Sequence, residues 1–457
     1  MTIEQALADL SSVLGERLTR SASDRALHGQ SESYFAQTPP DAVAYPETAE
    51  EVARIVTTCA AHGCPVIPFG AGTSLEGHTT PIRGGLTVDF ARMNRVLEVH
   101  PEDMDAVVQP GITRQALNED LRATGLFFPV DPGANASIGG MAATRASGTT
   151  TVRYGSMRDN VLGLQVVLAD GRIIRTGTRA RKSAAGYDLT HLFIGSEGTL
   201  GLITELTLRL HGQPEAISAA VCAFSDIGGA VDTVMATIQM GIPMARIEFI
   251  DTETVNAVNA YSNMSLPLKP HLLVEFHGSD LSVAEDARRL GELVEEFGGE
   301  GFRWSTQAED RNALWTMRHN AYFAILASRK GARAVVTDLC VPISRLAEAV
   351  EETRADIADS PIPGPILGHV GDGNFHAILM IRDDEPQELE TARALSARMV
   401  DRALRMGGTV TGEHGVGMGK LDYMEAEHGQ GWQVMGEIKR ALDPQNILNP
   451  GKVVRTN

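Results

Sequence analysis

The hydrophobic pattern changes character near residue 214. Before it, apolar positions come in short bursts. The opening stretch, MTIEQALADLSSVLGERL, spaces them as an amphipathic helix. Thr48 and Glu51 read as a capping box opening a helix through Val52, Ile55 and Val56, with Gly63 as its stop. Val66–Phe69 reads as a short buried strand that runs into glycines. Leu86, Val88 and Phe90 alternate as another strand, and residues 106–109 repeat that pattern. Thr113–Ala123 reads as a helix closed by Gly125. Leu164–Leu168 and Ile173–Arg175 flank Ala169-Asp170-Gly171, a hairpin signal, and Leu206, Leu208 and Leu210 alternate with Thr207 and Arg209.

After His211-Gly-Gln-Pro214 the elements lengthen. Strands are expected at 216–224, 245–250, 271–277, 334–340, 365–370 and 375–380. Helices are expected at 228–240, 282–297, 307–328 and 344–357. The predicted class is α+β, divided as 1–37, 38–214, 215–405 and 406–457. The last segment is Gly-rich and leaves two options, a small third unit or a return to the first domain. No GxGxxG follows the first strand, so a Rossmann fold is not indicated.

Composition narrows the function classes. Against 40 Lys and Arg stand 58 Asp and Glu in 457 residues, a net charge of −18. Such a field disfavours a general nucleic-acid or anionic-membrane binder. With 43% hydrophobic and 21% charged residues the chain reads as an ordinary globular protein. Cys59, Cys64, Cys222 and Cys340 form no CxxC pair and read as buried reduced thiols. The start lacks a secretory pattern and no run is apolar enough to span a bilayer, so a cytoplasmic location is expected. Peripheral contact with an inner membrane and a homodimer both stay open.

Glycine gathers in four stretches. Pro68-Phe-Gly-Ala-Gly-Thr-Ser-Leu-Glu-Gly77 follows a strand and holds Thr73 and Ser74. Its successive backbone N–H groups can form an anion nest, and without a P-loop lysine it suits a diphosphate held but not cleaved. Residues 130–148 are small enough for a flat group to lie on backbone. Ile194-Gly-Ser-Glu-Gly-Thr-Leu-Gly201 turns into a strand, and Gly407–Gly419 is the fourth stretch. Any one of these alone is equally a tight turn.

Together with Gly368-His-Val-Gly-Asp-Gly-Asn-Phe-His376, Gly412-Glu-His-Gly415 and Asp443-Pro…Asn449-Pro-Gly-Lys452, these stretches resemble the vanillyl-alcohol oxidase / p-cresol methylhydroxylase superfamily. Within it the chain resembles the FAD-linked D-2-hydroxyacid dehydrogenases, from about His28 to Val453. The resemblance implies an FAD-binding domain of the p-cresol methylhydroxylase type at 38–214. A substrate or cap domain at 215–405 and a C-terminal segment reaching the active site complete it. It implies flavin contacts from Pro68, Gly70, Ala71, Gly72, Thr73, Ser74, Leu75 and Gly77. Further contacts fall to Pro132, Gly133, Ser137, Gly139, Gly140, Ala143, Thr144, Ser147, Gly148 and Tyr154, and to Glu197, Gly198, Gly201, Ile203 and Asn449. Covalently flavinylated relatives carry His where Thr73 stands, so dissociable, non-covalent FAD is expected.

His369 and His376 bracket a turn between apolar segments that can aim both imidazoles at one point. Glu413, at the end of an expected strand 408–412, can add a carboxylate. Two His and a carboxylate form an open ligand set. A pair of core or surface histidines fits the spacing as well, and the resemblance favours the metal, zinc or manganese before iron(II). Asn374 is a candidate to orient a ligand. His414 is a candidate general base, or a neighbour that only orients Glu413. The resemblance places a carboxylate-gripping Arg at Arg318. Asp338 reads as structural.

The expected reaction is oxidation of a D-2-hydroxyacid to the 2-oxoacid. The small or apolar Ala334, Ala377 and Ile378 favour D-lactate over glycolate or D-2-hydroxyglutarate. No CxxCH or clustered Cys is present to hold haem or iron–sulfur, so the electron acceptor must be external: a cytochrome, a quinone or an electron-transfer flavoprotein. A metal-dependent hydrolase and a non-catalytic FAD-binding subunit are the readings from other classes.

Overall fold

A computed structural model describes residues 2–31 and 33–455. The chain divides into two units. The first takes the chain up to Ser147, Gly155–Gln213 and the chain from Glu413 onward. The second takes Gly148–Tyr154 and Pro214–Gly412.

The first unit holds two sheets. In one, Leu18–Thr19, Ala42–Ala44, Leu86–Asp89 and Val66–Phe69 lie in that order. The last three run parallel, with Ala42 and Val66 both level with Leu86. Leu86–Asp89 is buried along its whole length, so what reads as alternation is a strand covered on both faces, and Phe90 falls outside it. The helix Ala49–His62 lies on this sheet with Val52, Ile55, Val56 and Cys59 buried. Each such side chain contributes roughly 1.5–3 kcal/mol on leaving water. Thr48 Oγ1 accepts the Glu51 N–H at 3.2 Å, and Gly63 closes the helix in the left-handed region. The reciprocal half of the capping box is missing. The Glu51 carboxylate turns instead to the Glu47 N–H (2.8 Å) and to Arg17 (2.5 Å), a stronger, charged donor.

The other sheet is antiparallel, in the order Val96–His100, Asp105–Val108, Leu202–Arg209, Val161–Val167 and Ile173–Gly177. The hairpin expected at Ala169–Gly171 joins its last two strands. Short helices Arg114–Asp120 and Ile138–Thr144 cover it, and Phe128, Ile138, Met141, Phe193 and Leu206 share its core.

The second unit is built on one antiparallel sheet. Its order is Glu300–Ser305, Ala216–Ala223, His271–Gly278, Met244–Ile250, Ile366–Gly368, Asn374–Arg382 and Ala332–Val336, with Leu339–Cys340 also on Asn374–Arg382. Helices Ile227–Gln239, Thr252–Ser262, Asp280–Glu296, Leu346–Ala358 and Pro386–Arg405 pack with it.

Three expected elements differ. The helix at 307–328 is two, Ala308–His319 and Ala321–Ser328, broken at Asn320. The strand at 334–340 is interrupted. Thr337 Oγ1 accepts the Ala377 N–H (2.9 Å) and its carbonyl accepts from His376 Nδ1 (2.9 Å), which takes Thr337 and Asp338 out of the regular ladder. No strand forms at 408–412. A single bridge joins Thr409 to Cys340, and Glu413 stands on a loop. Among the described residues no helix is long and apolar enough to cross a membrane.

Buried His28 shows how this packing couples to pH. Burial opposes its charged form. The Asp89 carboxylate at 2.8 Å and the Asp24 carbonyl at 2.7 Å outweigh that, so its pKa is raised above 6.5. A raised imidazole pKa adds stability that is complete below the unfolded value and is lost as pH rises through the folded value. The melting-temperature gap between wild type and H28N should therefore be widest near pH 5 and shrink above pH 7. A gap that widens with pH contradicts this account.

Candidate functional site

In the first unit the glycine stretches are brought together by backbone approach. The strand Val66–Phe69 delivers Gly70 against the turn before helix Ile138–Thr144, where a Cβ on Gly70 would lie 2.2 Å from Ser137 Oγ. A Cβ on Gly198 would lie 2.2 Å from Pro68 Cγ. The Glu197 N–H donates to the Ala143 carbonyl (2.9 Å), and Thr144 Oγ1 folds back on the Gly140 carbonyl (3.2 Å). Asn449 Nδ2 donates to the carbonyls of both His78 (3.0 Å) and Glu197 (2.8 Å), so it clips two of the stretches to each other. Pro68, Gly70, Ser137, Gly139, Gly140, Ala143, Thr144, Glu197, Gly198 and Asn449 thus converge.

Ser137 Oγ is buried and has no hydrogen-bond partner among the described residues. An orphaned hydroxyl beside a cradle that a single Cβ would fill fits a bound polar group such as a diphosphate. Ala71, Gly72, Thr73, Ser74 and Leu75 lie on the open part of the loop, partly to fully exposed, while Gly77 is buried. Pro132 and Gly133 form the turn leading to Ser137. Gly201 abuts Val166, and Ile203 is a core residue of the five-stranded sheet. Gly148 and Tyr154 belong to the second unit, where the Tyr154 hydroxyl bonds His277 Nδ1 at 2.7 Å.

The fourth glycine stretch packs on the same core. The Glu197 carboxylate accepts the N–H groups of Val416 (2.7 Å) and Gly417 (2.8 Å). A Cβ on Gly417 would lie 2.1 Å from the Glu76 carbonyl. This tie holds the chain just beyond Glu413 and His414. Ser147 Oγ donates to Glu413 Oε2 (3.1 Å), and His414 Nδ1 faces Glu76 Oε1 at 3.9 Å. Buried His78 lies 3.3 Å from Glu197. Burial opposes its charge, but Glu197 and Glu76 outweigh it and raise its pKa.

In the second unit His369 directly follows the strand Ile366–Gly368 and His376 lies on Asn374–Arg382, with Leu367 opposite His376. The rings stand edge-on, centroids 5.5 Å apart. His376 Nδ1 meets the Thr337 carbonyl at 2.9 Å and His369 Nδ1 meets Glu248 Oε1 at 2.6 Å. Both partners can only accept. A proton therefore sits on each Nδ1, and in its neutral form each ring keeps its lone pair on Nε2, the form a metal takes. Asn374 Nδ2 donates to Asp338 Oδ1 (2.8 Å) and the Leu339 carbonyl (2.9 Å), while its Oδ1 is buried without a partner among the described residues. Asp338 also accepts from Thr411 Oγ1 (2.7 Å). It is a fully buried hub between the strands Ala332–Val336 and Leu339–Cys340.

Arg318 lies on helix Ala308–His319 and is buried rather than a solvated surface cation. Its Nη2 meets Glu248 Oε2 at 2.6 Å, and its Nε is buried with no partner among the described residues. Burial raises the Glu248 pKa, but His369 and Arg318 together outweigh it and hold the carboxylate below its ordinary range. Glu248 escaped the sequence reading because Arg246 and Glu248 alternate with apolar residues, which looks like a solvent face. The same holds for Glu275, which takes His277 Nε2 at 2.8 Å and Arg246 Nε at 3.4 Å.

Two family models match the chain. Residues 40–177 match an FAD binding domain, and residues 213–453 match the C-terminal domain of FAD linked oxidases. A Danio rerio protein described as "Probable D-lactate dehydrogenase, mitochondrial" is 47% identical, over 99% of this chain and 92% of the relative. The mitochondrial D-lactate dehydrogenase [cytochrome] of Arabidopsis thaliana is 43% identical, over 99% and 80%. The glycolate oxidase subunit GlcD of Bacillus subtilis is 37% identical, over 91% and 89%. Substrate-bound p-cresol methylhydroxylase superposes with a TM-score of 0.81 at 18% identity, over 98% of this chain and 96% of that one.

The cradle has a direct test. G70V drives a branched side chain onto Ser137 and should weaken FAD binding by about 10-fold or more, the cost of modest overpacking. The flavin absorbance of the purified variant and an FAD titration read it, with circular dichroism as the check on folding. Unchanged FAD affinity excludes this loop from the cofactor site.

Proposed function

The chain belongs to the family of FAD-linked oxidases, and on that footing we propose that it oxidises D-lactate to the 2-oxoacid and passes the electrons to an external acceptor. FAD-dependent oxidation of a 2-hydroxyacid is common ground with its relatives, which leaves no support for a hydrolase. D-lactate, the metal and the acceptor are the finer parts of this reading.

The observation that carries the substrate class is Arg318. A buried guanidinium with one nitrogen on Glu248 and an unspent Nε–H is set to take a substrate carboxylate, and the Glu248 it holds also holds His369. Bound FAD supplies a hydride acceptor for the substrate Cα–H. The Gly70–Gly77 loop and Ser137 are the residues that would hold its diphosphate, without a covalent link. His369, His376 and Glu413 are the residues that would hold a divalent metal, zinc or manganese, which supplies Lewis acidity toward the substrate hydroxyl. His414, with Nδ1 turned to Glu76, takes the hydroxyl proton on Nε2. Relatives named as D-lactate dehydrogenases favour D-lactate, and relatives named for a cytochrome favour a one-electron acceptor of that kind.

Anaerobic addition of D-lactate should bleach the flavin bands, while L-lactate and D-2-hydroxyglutarate should leave them. Bleaching only by another acid changes the substrate; no bleaching by any 2-hydroxyacid ends the reading. H369A and E413Q should lower turnover at least about 100-fold with FAD content unchanged. Stripping metal with a chelator should do the same, with activity restored by zinc or manganese. Full activity in both variants removes the metal and keeps the flavoenzyme.

A further inference from the structure

Glu248 is in contact with both His369 and Arg318, and neither the sequence motifs nor the reaction above assigns it a task. It lies on Met244–Ile250, an inner strand of the sheet, and is fully buried. Oε1 accepts a hydrogen bond from His369 Nδ1 at 2.6 Å, and Oε2 forms an ion pair with Arg318 Nη2 at 2.6 Å. The strand register explains the reach. Phe249 pairs with Gly368, so His369 emerges beside Glu248. The neighbouring cation does not compete. Arg246 stacks on the Trp315 ring, 4.9 Å from its centroid, and pairs with Glu275, which has its own histidine in His277. Each of the two buried carboxylates therefore serves one Arg and one His.

We propose that Glu248 is a positioning residue that sets both the tautomer of His369 and the aim of Arg318, coupling the metal ligand to the carboxylate clamp through one side chain. The inference rests on the roles given to His369 and Arg318 above. A carboxylate only accepts, so it keeps the proton on His369 Nδ1 and the lone pair on Nε2. Its second oxygen fixes the guanidinium by Nη2 and leaves Nε–H for substrate. A purely structural buried pair could be replaced by apolar packing with little loss, and this carboxylate could not.

The test compares holoenzyme wild type, E248Q, E248D and E248A. Gln has one acceptor where Glu has two and presents donors to the other partner. It can serve His369 or Arg318, not both. E248Q should therefore either bind zinc about 10- to 100-fold more weakly in a chelator competition or raise the KM for D-lactate about 10-fold, with FAD content unchanged. E248A should do both. If E248A does not fold, E248D, one methylene too short to reach both partners, should move in the same direction. The readout independent of turnover is the side-chain ¹⁵N signal of His369 in zinc-loaded protein, Nδ1-protonated in wild type and altered in E248A. An E248Q enzyme with wild-type zinc affinity and wild-type KM overturns the inference. If wild type oxidises no 2-hydroxyacid, the reading of the reaction fails instead, and the ¹⁵N signal alone decides whether Glu248 sets the tautomer. An unchanged signal in E248A then refutes the positioning role.

Discussion

A carboxylate taken out of water must be given donors, and both units are organised around meeting that demand. In the first unit the demand is met by backbone. Glu197, itself in the left-handed region at φ 54°, accepts the amides of Val416 and Gly417. In the second it is met by side chains, with Glu248 on His369 and Arg318, and Asp338 on Asn374 and Thr411. Glu248 and Asp338, which bear the desolvation cost in the second unit, are not themselves among the groups expected to do chemistry. They lie beside those groups.

The glycines follow from the same economy of space. At Gly198 and Gly417 a Cβ would overlap Pro68 or the Glu76 carbonyl, so the four stretches are sites of backbone approach as much as turns. That approach leaves Ser137 Oγ buried and without a hydrogen-bond partner among the described residues. Lys452 shows the opposite solution. Burial pushes its ammonium down to about 8, and its Nζ is answered by the Thr80 carbonyl at 2.8 Å, which fastens the C-terminal stretch to the end of the first loop.

Local order was legible wherever one short segment carries the whole signal. The helix Ala49–His62, with Thr48 before it and Gly63 after it, and the hairpin at Ala169–Gly171 are specified by neighbours in sequence. The break at Asn320 was not, because no Gly or Pro marks it and both flanks are good helix formers. The strand expected before Glu413 failed for a related reason. Gly408–Gly412 has the alternation of a strand but finds only Cys340 to pair with.

The sequence by itself determined the α+β class, the glycine-rich cofactor fold and the family, because those rest on ordered motifs read within short windows. Only the tertiary structure decided that Arg318 is buried, that Tyr154 bonds His277 and that both imidazoles turn Nδ1 to an acceptor oxygen. It alone brought Glu248 to His369, 121 residues away along the chain. Hydrophobic periodicity reports how a residue faces its own helix or strand. The partner of a buried charge is set by sheet register and packing between distant segments, and no local window contains it.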